Sequence, residues 1–472
     1  MLFPTFEFAV FFALAFLGSW LLRPYPVRWR LFLLAASYTF YGWWDWRFTF
    51  LLAGSTLVNW TAARGIHRAG DHEGRRTRIL FSAVVANLGA LGFFKYYGFF
   101  VTSVAGGFSR VGLSVNPPLL QVILPIGISF YTFQALSYVI DTYRGDTEPA
   151  PFLDFAVYLS FFPHLVAGPI VRARELLPQL QGKADPRRID AALAFRLIFA
   201  GLFKKVVVSS FISSAVVDQV FRNPGQYKNL EVLAGVYGYA IQIYADFSGY
   251  TDIAIGAALL LGLRFPQNFD APYTARSIQD FWRRWHMTLS FWLRDYLYIP
   301  LGGNRGGERR MERNVFLTML LGGLWHGAAW TFVAWGAIHG GAMVVERRFD
   351  QWQARRGVVA TRWTPVRRWL VTFHIVCFAW IFFRAESFGL AWQVLGRLAT
   401  GWGVGTLVKP MVVFTIVAMI AAQFVPSTLV ERGQVLFSRT GPVVQGVTLA
   451  LGFLVIDALG PTGVAPFIYF QF

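Results

Sequence analysis

Asn268-Phe-Asp-Ala-Pro-Tyr-Thr-Ala-Arg-Ser-Ile-Gln-Asp-Phe-Trp-Arg-Arg-Trp-His286, followed forty residues later by Leu324-Trp-His-Gly327, is the stretch on which the reading of this chain turns. It gathers arginines, tryptophans and two histidines inside a sequence that is otherwise oily. Of the 472 residues 55% are hydrophobic and only 14% charged, and the mean hydropathy is +0.46. A soluble fold of this length needs far less apolar surface. Apolar runs of 16 to 25 residues recur along nearly the whole sequence, each long enough to cross or nearly cross about 30 Å of hydrocarbon. Helices satisfy their backbone internally, so an all-α, polytopic membrane protein is expected, read as one domain over 1–472.

The net charge of +18 admits nucleic acid as a partner, but in a membrane protein basic residues mark inner loops and the anionic leaflet beside them, so none is expected. The single cysteine, Cys377, lies in an apolar run, which excludes intrachain disulfides and cysteine metal sites. Leu2 to Leu22 has no Lys or Arg before it and is followed by Arg23, Arg28 and Arg30, the reverse of a secretory signal. This pattern puts the N-terminus on the extracytoplasmic side.

Crossings are expected near 3–22, 31–46, 48–63, 79–102, 119–140, 191–215, 232–262, 369–386, 410–425 and 442–460, with a hairpin at 314–345. That is about 11–12 transmembrane helices. Residues 152–170, broken by Pro163 and Gly168-Pro169, are read as re-entrant, and the stretch after 264 as carrying an interfacial helix. With the N-terminus outside, the inner loops 23–30, 64–78, 141–150, 171–190, 264–313, 346–368 and 431–439 hold 32 Lys and Arg against six in the outer loops. A wrong topology rarely gives such a bias. The acidic loop 141–150 lends it no support.

On a helical wheel, Ile278, Phe281, Trp282, Trp285, Leu289, Trp292 and Tyr296 fall within roughly one 100° arc. Gln279, Arg283, His286, Ser290 and Arg294 form a polar stripe beside it. The segment 278–296 is therefore expected as one amphipathic helix at the inner face. One reading makes it an interfacial anchor, with Trp at headgroup depth and Arg snorkelling. The other has Arg283, Arg284 and Arg294 meet an anionic donor substrate, with Trp285 and Asn268 beside them.

His326 lies inside the apolar run Val315–Val345. Twelve helical steps separate it from Asn314, or roughly 18 Å, which puts it at middle depth. An ionisable residue there is a functional candidate by default, with Trp325 next to it. An unperturbed imidazole, pKa about 6.5, can take a proton from an acceptor hydroxyl that attacks a thioester carbonyl, while N–H groups or His286 stabilise the oxyanion. Asp246, in Tyr244-Ala-Asp-Phe-Ser-Gly-Tyr-Thr-Asp252, cannot face lipid; a structural and a substrate-binding role both stand for it. His164, His339, His374, Glu7 and Lys95 are single polar residues in apolar runs and are read as satisfied helix contacts.

There is no His-Glu-x-x-His zinc pattern, no Walker loop and no Gly-x-Ser-x-Gly elbow. The His-x4-Asp spacing of soluble glycerolipid acyltransferases is missing too, since Phe291 and Thr331 stand at the Asp positions. No metal site is expected.

Together with Leu124-Pro-Ile-Gly-Ile-Ser-Phe-Tyr-Thr-Phe133, Phe161-Phe-Pro-His-Leu-Val-Ala-Gly-Pro-Ile170, Tyr244–Asp252, Asn268–Gly303 and Trp325-His326-Gly327, the sequence resembles the bacterial branch of the membrane-bound O-acyltransferase (MBOAT) family. The resemblance covers the middle two-thirds of the chain, with the motif-bearing core at about 120–345. It implies that His326 is the catalytic histidine and His286 the second active-site residue, in a ring of helices around a thin centre. It also implies acetyl-CoA as donor, with no permanently bound cofactor, an exported polysaccharide such as alginate or peptidoglycan as acceptor, and an extracytoplasmic partner transferase. The expected location is the bacterial inner membrane. D-alanyl transfer from a carrier protein is the alternative within the enzyme class, and a transporter or flippase the alternative outside it. Residues 404–472 carry no motif that extends the resemblance.

Overall fold

The computed structural model describes residues 1, 3–113, 120, 122–182, 189–460 and 467–468; these are helices and connecting turns, with no β-strand among them. The start of the crossing expected at 119–140, and Lys183, Arg187 and Arg188 of the expected inner loop 171–190, lie outside the described residues. The chain divides into two compact units, 1–189 with 257–266, and 190–256 with 267–472.

In the first unit, helix starts are written in the sequence. Thr5 caps Phe6–Leu22 by accepting the Phe8 N–H at 3.3 Å, and Pro26 opens Pro26–Gly42. These two helices pack together, and the Trp29 indole donates to Ser19 Oγ at 2.9 Å in the buried seam. Helices Arg47–Arg68 and Glu73–Leu91 are stitched by reciprocal amide bonds of 3.1 and 2.8 Å between buried Asn59 and Asn87. In an apolar surround such a pair satisfies groups that lipid could not. Gly127, at φ +77, begins Ile128–Arg144; a side chain there would overlap the Leu165 carbonyl, which explains the glycine of Leu124–Phe133.

Residues 154–170 are buried throughout. Phe152–Ser160 and Phe162–Leu165 break at Phe161, and the Phe162 N–H goes to Ser37 Oγ at 3.2 Å. Buried His164 meets the Tyr158 carbonyl through Nε2 at 2.9 Å, a helix contact at that nitrogen.

In the second unit, Asp190 caps Ala191–Leu202 by accepting the Leu193 N–H at 2.8 Å, and the run goes on through the π-helical turns Phe203–Ser209 and Ser213–Val217. Lys204 and Lys205 from the first of these turns pair with Asp252 and Asp246 of the long helix Asn229–Leu260. The hairpin expected at 314–345 is present as Glu308–His326 and Trp330–Arg355. Its arms meet backbone to backbone: a side chain on Gly323 would overlap the Phe332 carbonyl, and one on Gly336 that of Met319.

Glu73–Arg110, Thr364–Arg384 and Pro442–Leu459 are long and apolar enough to cross a membrane, as is a fourth span if Pro410–Ala422 and Ser427–Ser438, bent by 92°, count as one. Among the described residues the number of helices meeting that criterion falls short of the eleven or twelve crossings expected. Helices such as Ile128–Arg144 and Asn229–Leu260 bury polar groups against protein instead of offering an unbroken apolar face. Large apolar side chains cover much of the outer surface, with Phe6 at 81% and Val443 at 79% exposure. This is the inside-out balance of a protein solvated by lipid.

Candidate active site

His326 is the last residue of Glu308–His326, where Gly327 turns the chain into extended backbone before Trp330 restarts a helix. It is 2% exposed. Its ring is boxed by Trp335 at 4.9 Å, Trp325 at 5.0 Å and Phe383 at 5.4 Å between centroids. His286 approaches to 6.3 Å and has Phe247 on another side at 4.7 Å. The structure thus brings together the two histidines and Trp325.

The amphipathic helix expected over 278–296 is broken at this point. Ile278–Arg284 ends at Trp285, and His286 takes left-handed backbone (φ 42, ψ 53) before Met287–Leu293 begins. Only two described non-glycine residues have positive φ, His286 and Ala271, and both belong to the stretch Asn268–His286. Such conformations cost of order 1–3 kcal/mol and persist where surrounding contacts over-determine them.

Here those contacts come from Asn268. Its carbonyl accepts the Met287 N–H at 3.0 Å, and its Oδ1 accepts the Thr288 N–H at 3.2 Å and hydroxyl at 2.9 Å. Asp270 N–H to the Arg284 carbonyl at 2.9 Å closes the other side. The break turns His286 off the expected polar stripe and into the interior, where it is fully buried.

The three arginines do not follow it. Arg283 is exposed, Arg284 binds Asp280 at 2.9 Å, and Arg294 binds its neighbour Asp295 at 2.6 Å. None of them bonds to either histidine. Trp285 is fully buried and stacks on Phe281 at 5.5 Å, so it is no headgroup-level anchor.

Asp246 is held in place by three groups. One oxygen pairs with Lys205 and lies 3.4 Å from Ser209 Oγ; the other accepts the Ile468 N–H at 2.9 Å. This bond docks Phe467, which packs at a tilt against Tyr250 at 4.6 Å and Phe247 at 5.6 Å between centroids. Since Phe247 faces His286, two residues from the motif-free end of the chain back one wall of the site.

Sequence reasoning missed Phe467 and Ile468, and no pattern pointed to them. It also passed over Trp335, Trp380 and Phe383. The Trp380 indole donates to Tyr273 Oη at 3.2 Å, a contact that only the fold reveals. His339 accepts from the Trp282 indole at 3.3 Å and is a satisfied contact at that nitrogen, as read. Three buried donors near the histidines, Trp285 Nε1, Trp335 Nε1 and Asn268 Nδ2, have no acceptor among the described residues. Leaving such a donor unpaired costs about 1–3 kcal/mol.

Outside the spanning segments, Glu346 accepts the Ile278 N–H at 2.8 Å and so holds the first turn that leads to His286. Burial, reinforced by Asp350, lifts its carboxyl to about 7.

The sequence profile of the MBOAT, membrane-bound O-acyltransferase family, matches residues 119–392. The chain is 42% identical over 397 residues to the Pseudomonas aeruginosa protein named "Probable alginate O-acetylase AlgI", covering 84% of this chain and 74% of that one. It is 39% identical over 422 residues to the peptidoglycan O-acetyltransferase of Helicobacter pylori, covering 83% and 78%. The teichoic acid D-alanyltransferase of Bacillus subtilis is 31% identical over 277 residues, 56% of this chain and 69% of that one. The chain belongs to the membrane-bound O-acyltransferase family, and it is an integral membrane acyltransferase.

Proposed function

We propose that residues 1–472 act as one O-acetyltransferase domain of the bacterial inner membrane, with an extracytoplasmic N-terminus. It takes acetyl from acetyl-CoA at the inner face and passes it toward an exported polysaccharide. His326 is the general base: it removes the proton of an acceptor hydroxyl as that oxygen attacks the thioester carbonyl, and the thiol leaves with the proton returned from the imidazole. His286 stands on the other side of the reacting carbonyl and stabilises its developing negative charge. The buried indole N–H groups orient the acyl donor by its carbonyls, Asn268 fixes the backbone that presents His286, and Arg283, exposed on Ile278–Arg284, attracts the donor's phosphates. A separate extracytoplasmic transferase completes delivery to the polymer.

The observation that carries this reading is the buried histidine pair, 6.3 Å apart in a wall of indoles, in a chain about 40% identical to O-acetylating relatives. D-alanyl transfer has the weaker support of the relative that matches over 56% of the chain.

The test is purified protein in liposomes supplied with radiolabelled acetyl-CoA, following loss of thioester and transfer of label. Wild type should turn over and His326→Ala should not, with both monodisperse in detergent. Turnover only with an aminoacylated carrier protein would replace acetylation by D-alanylation. Passage of substrate across the bilayer without thioester cleavage would refute the enzyme reading for this donor.

A further inference from the structure

Between the helices Trp330–Arg355 and Thr364–Arg384 the chain carries seven arginines from 347 to 368. Three of them are neutralised: Arg347 by Glu308 at 4.0 Å, Arg348 by Glu312 at 2.6 Å and Arg368 by Asp350 at 2.6 Å. Arg355, Arg356, Arg362 and Arg367 are exposed and have no acidic partner among the described residues. The segment therefore holds net positive charge that no protein group offsets.

The same segment is apolar on its surface. Val359 is 83% and Trp363 62% exposed, with Arg362 lying 5.4 Å from the Trp363 ring centroid and Arg356 5.3 Å from that of Trp352. Guanidinium groups seated on exposed indoles suit the water–headgroup boundary, where one end of the pair is dry and the other wet. A cavity of about 360 Å³ opens here, lined among others by Asp350 and its partner Arg368, by Val358, Thr361 and Trp363, and by Arg367, which has no acidic partner among the described residues. From its rim, Val366, Leu370 and Val371 run up the outer face of Thr364–Arg384, a helix apolar and long enough to span.

We infer that this cavity is a binding site for the headgroup of an anionic phospholipid. The phosphate sits against Arg367 in the cavity wall, with Arg362 beside it on the lining Trp363, and the acyl chains lie along Val366, Leu370 and Val371. Basic clusters immediately beside a spanning helix attract anionic lipid, and the apolar stripe starting at this rim favours a lipid over a water-soluble phosphate. The inference does not depend on which acyl group the enzyme transfers.

The experiment is native mass spectrometry of delipidated protein offered phosphatidylglycerol or phosphatidylcholine of the same chain length. Wild type should retain phosphatidylglycerol about 25-fold better, and Arg362→Gln with Arg367→Gln should lose that preference, at about fivefold per arginine. Arg110→Gln, which removes a charge elsewhere, should not change it. Equal retention of both lipids, or an unchanged preference in the double variant, overturns the site. So does displacement of the lipid by free CoA at micromolar concentration, which would assign the cavity to a soluble phosphate ligand.

Discussion

His286 and His326 face each other at 6.3 Å between ring centroids, with planes inclined at 53°, and they arrive there by opposite means. His326 ends a regular helix. His286 is delivered by a left-handed kink between two short ones.

Replacing His326 by Ala should lower turnover by about 10²- to 10⁴-fold, the usual worth of a general base. Its small neutral replacement should leave the fold intact. The check is acetyl transfer in liposomes beside size-exclusion behaviour in detergent; full turnover in a folded variant would remove His326 from the chemistry.

At position 286 backbone and ring can be tested apart. Asn tolerates left-handed backbone and Val does not. His286→Asn should fold like wild type and lose turnover, while His286→Val should lose stability as well. Equal thermal midpoints for the two would mean that the kink relaxes at no cost.

Asn268 is expected to act through that kink. Asn268→Ala removes the acceptor for both the Thr288 N–H and the Thr288 hydroxyl and should cost about 1–3 kcal/mol. Turnover should fall with KM for the donor little changed, measured by initial rates across donor concentrations. A pure KM effect would instead give Asn268 direct contact with substrate.

Asp246→Asn leaves Lys205 charged and buried, at a cost of about 3–5 kcal/mol, whereas Asp246→Leu with Lys205→Met removes both charges and should be far milder. Unfolding midpoints in detergent decide it. If the double variant is as unstable as the single one, packing and not charge is what the pair supplies.

Glu346 gives a pH dependence of definite sign. Its carboxyl is raised from 4.5 to about 7, so between those values the folded protein holds a proton that the unfolded chain has released. Its contribution therefore favours folding below that window and is lost as pH rises through 7. Glu346→Gln keeps an acceptor for the Ile278 N–H and should flatten this dependence, making the variant relatively more stable than wild type at pH 8 than at pH 5. Parallel slopes for both proteins would show that Glu346 does not titrate there.

Much of this was legible in the residues. All seven members of the arc from Ile278 to Tyr296 are buried, because helical rhythm alone tells which side chains share a face. The kink was not legible. A histidine at positive φ has no sequence sign, and the 3.6-residue rhythm runs past Trp285 undisturbed, so the wheel placed His286 among Arg283 and Arg294. His326 was found because a histidine between tryptophan and glycine in an apolar run is conspicuous. Phe383 and Trp380 were not, since one more aromatic residue in an aromatic-rich run carries no information until tertiary contacts select it. Phe467 is the extreme case, joined to the site through a main-chain N–H on Asp246.

The main-chain contact at Gly323 and Gly336 bears on which acyl groups the family's members can handle. Because the hairpin arms already touch through their backbones, they have little room to slide, and the His326 ring is held where Glu308–His326 ends. Extra volume has to come from the aromatic side of the box, by trimming Trp335 or Phe383. We expect Trp335→Phe to admit propionyl or butyryl donors before any change in the hairpin does, and a donor-length series on that variant would reveal it.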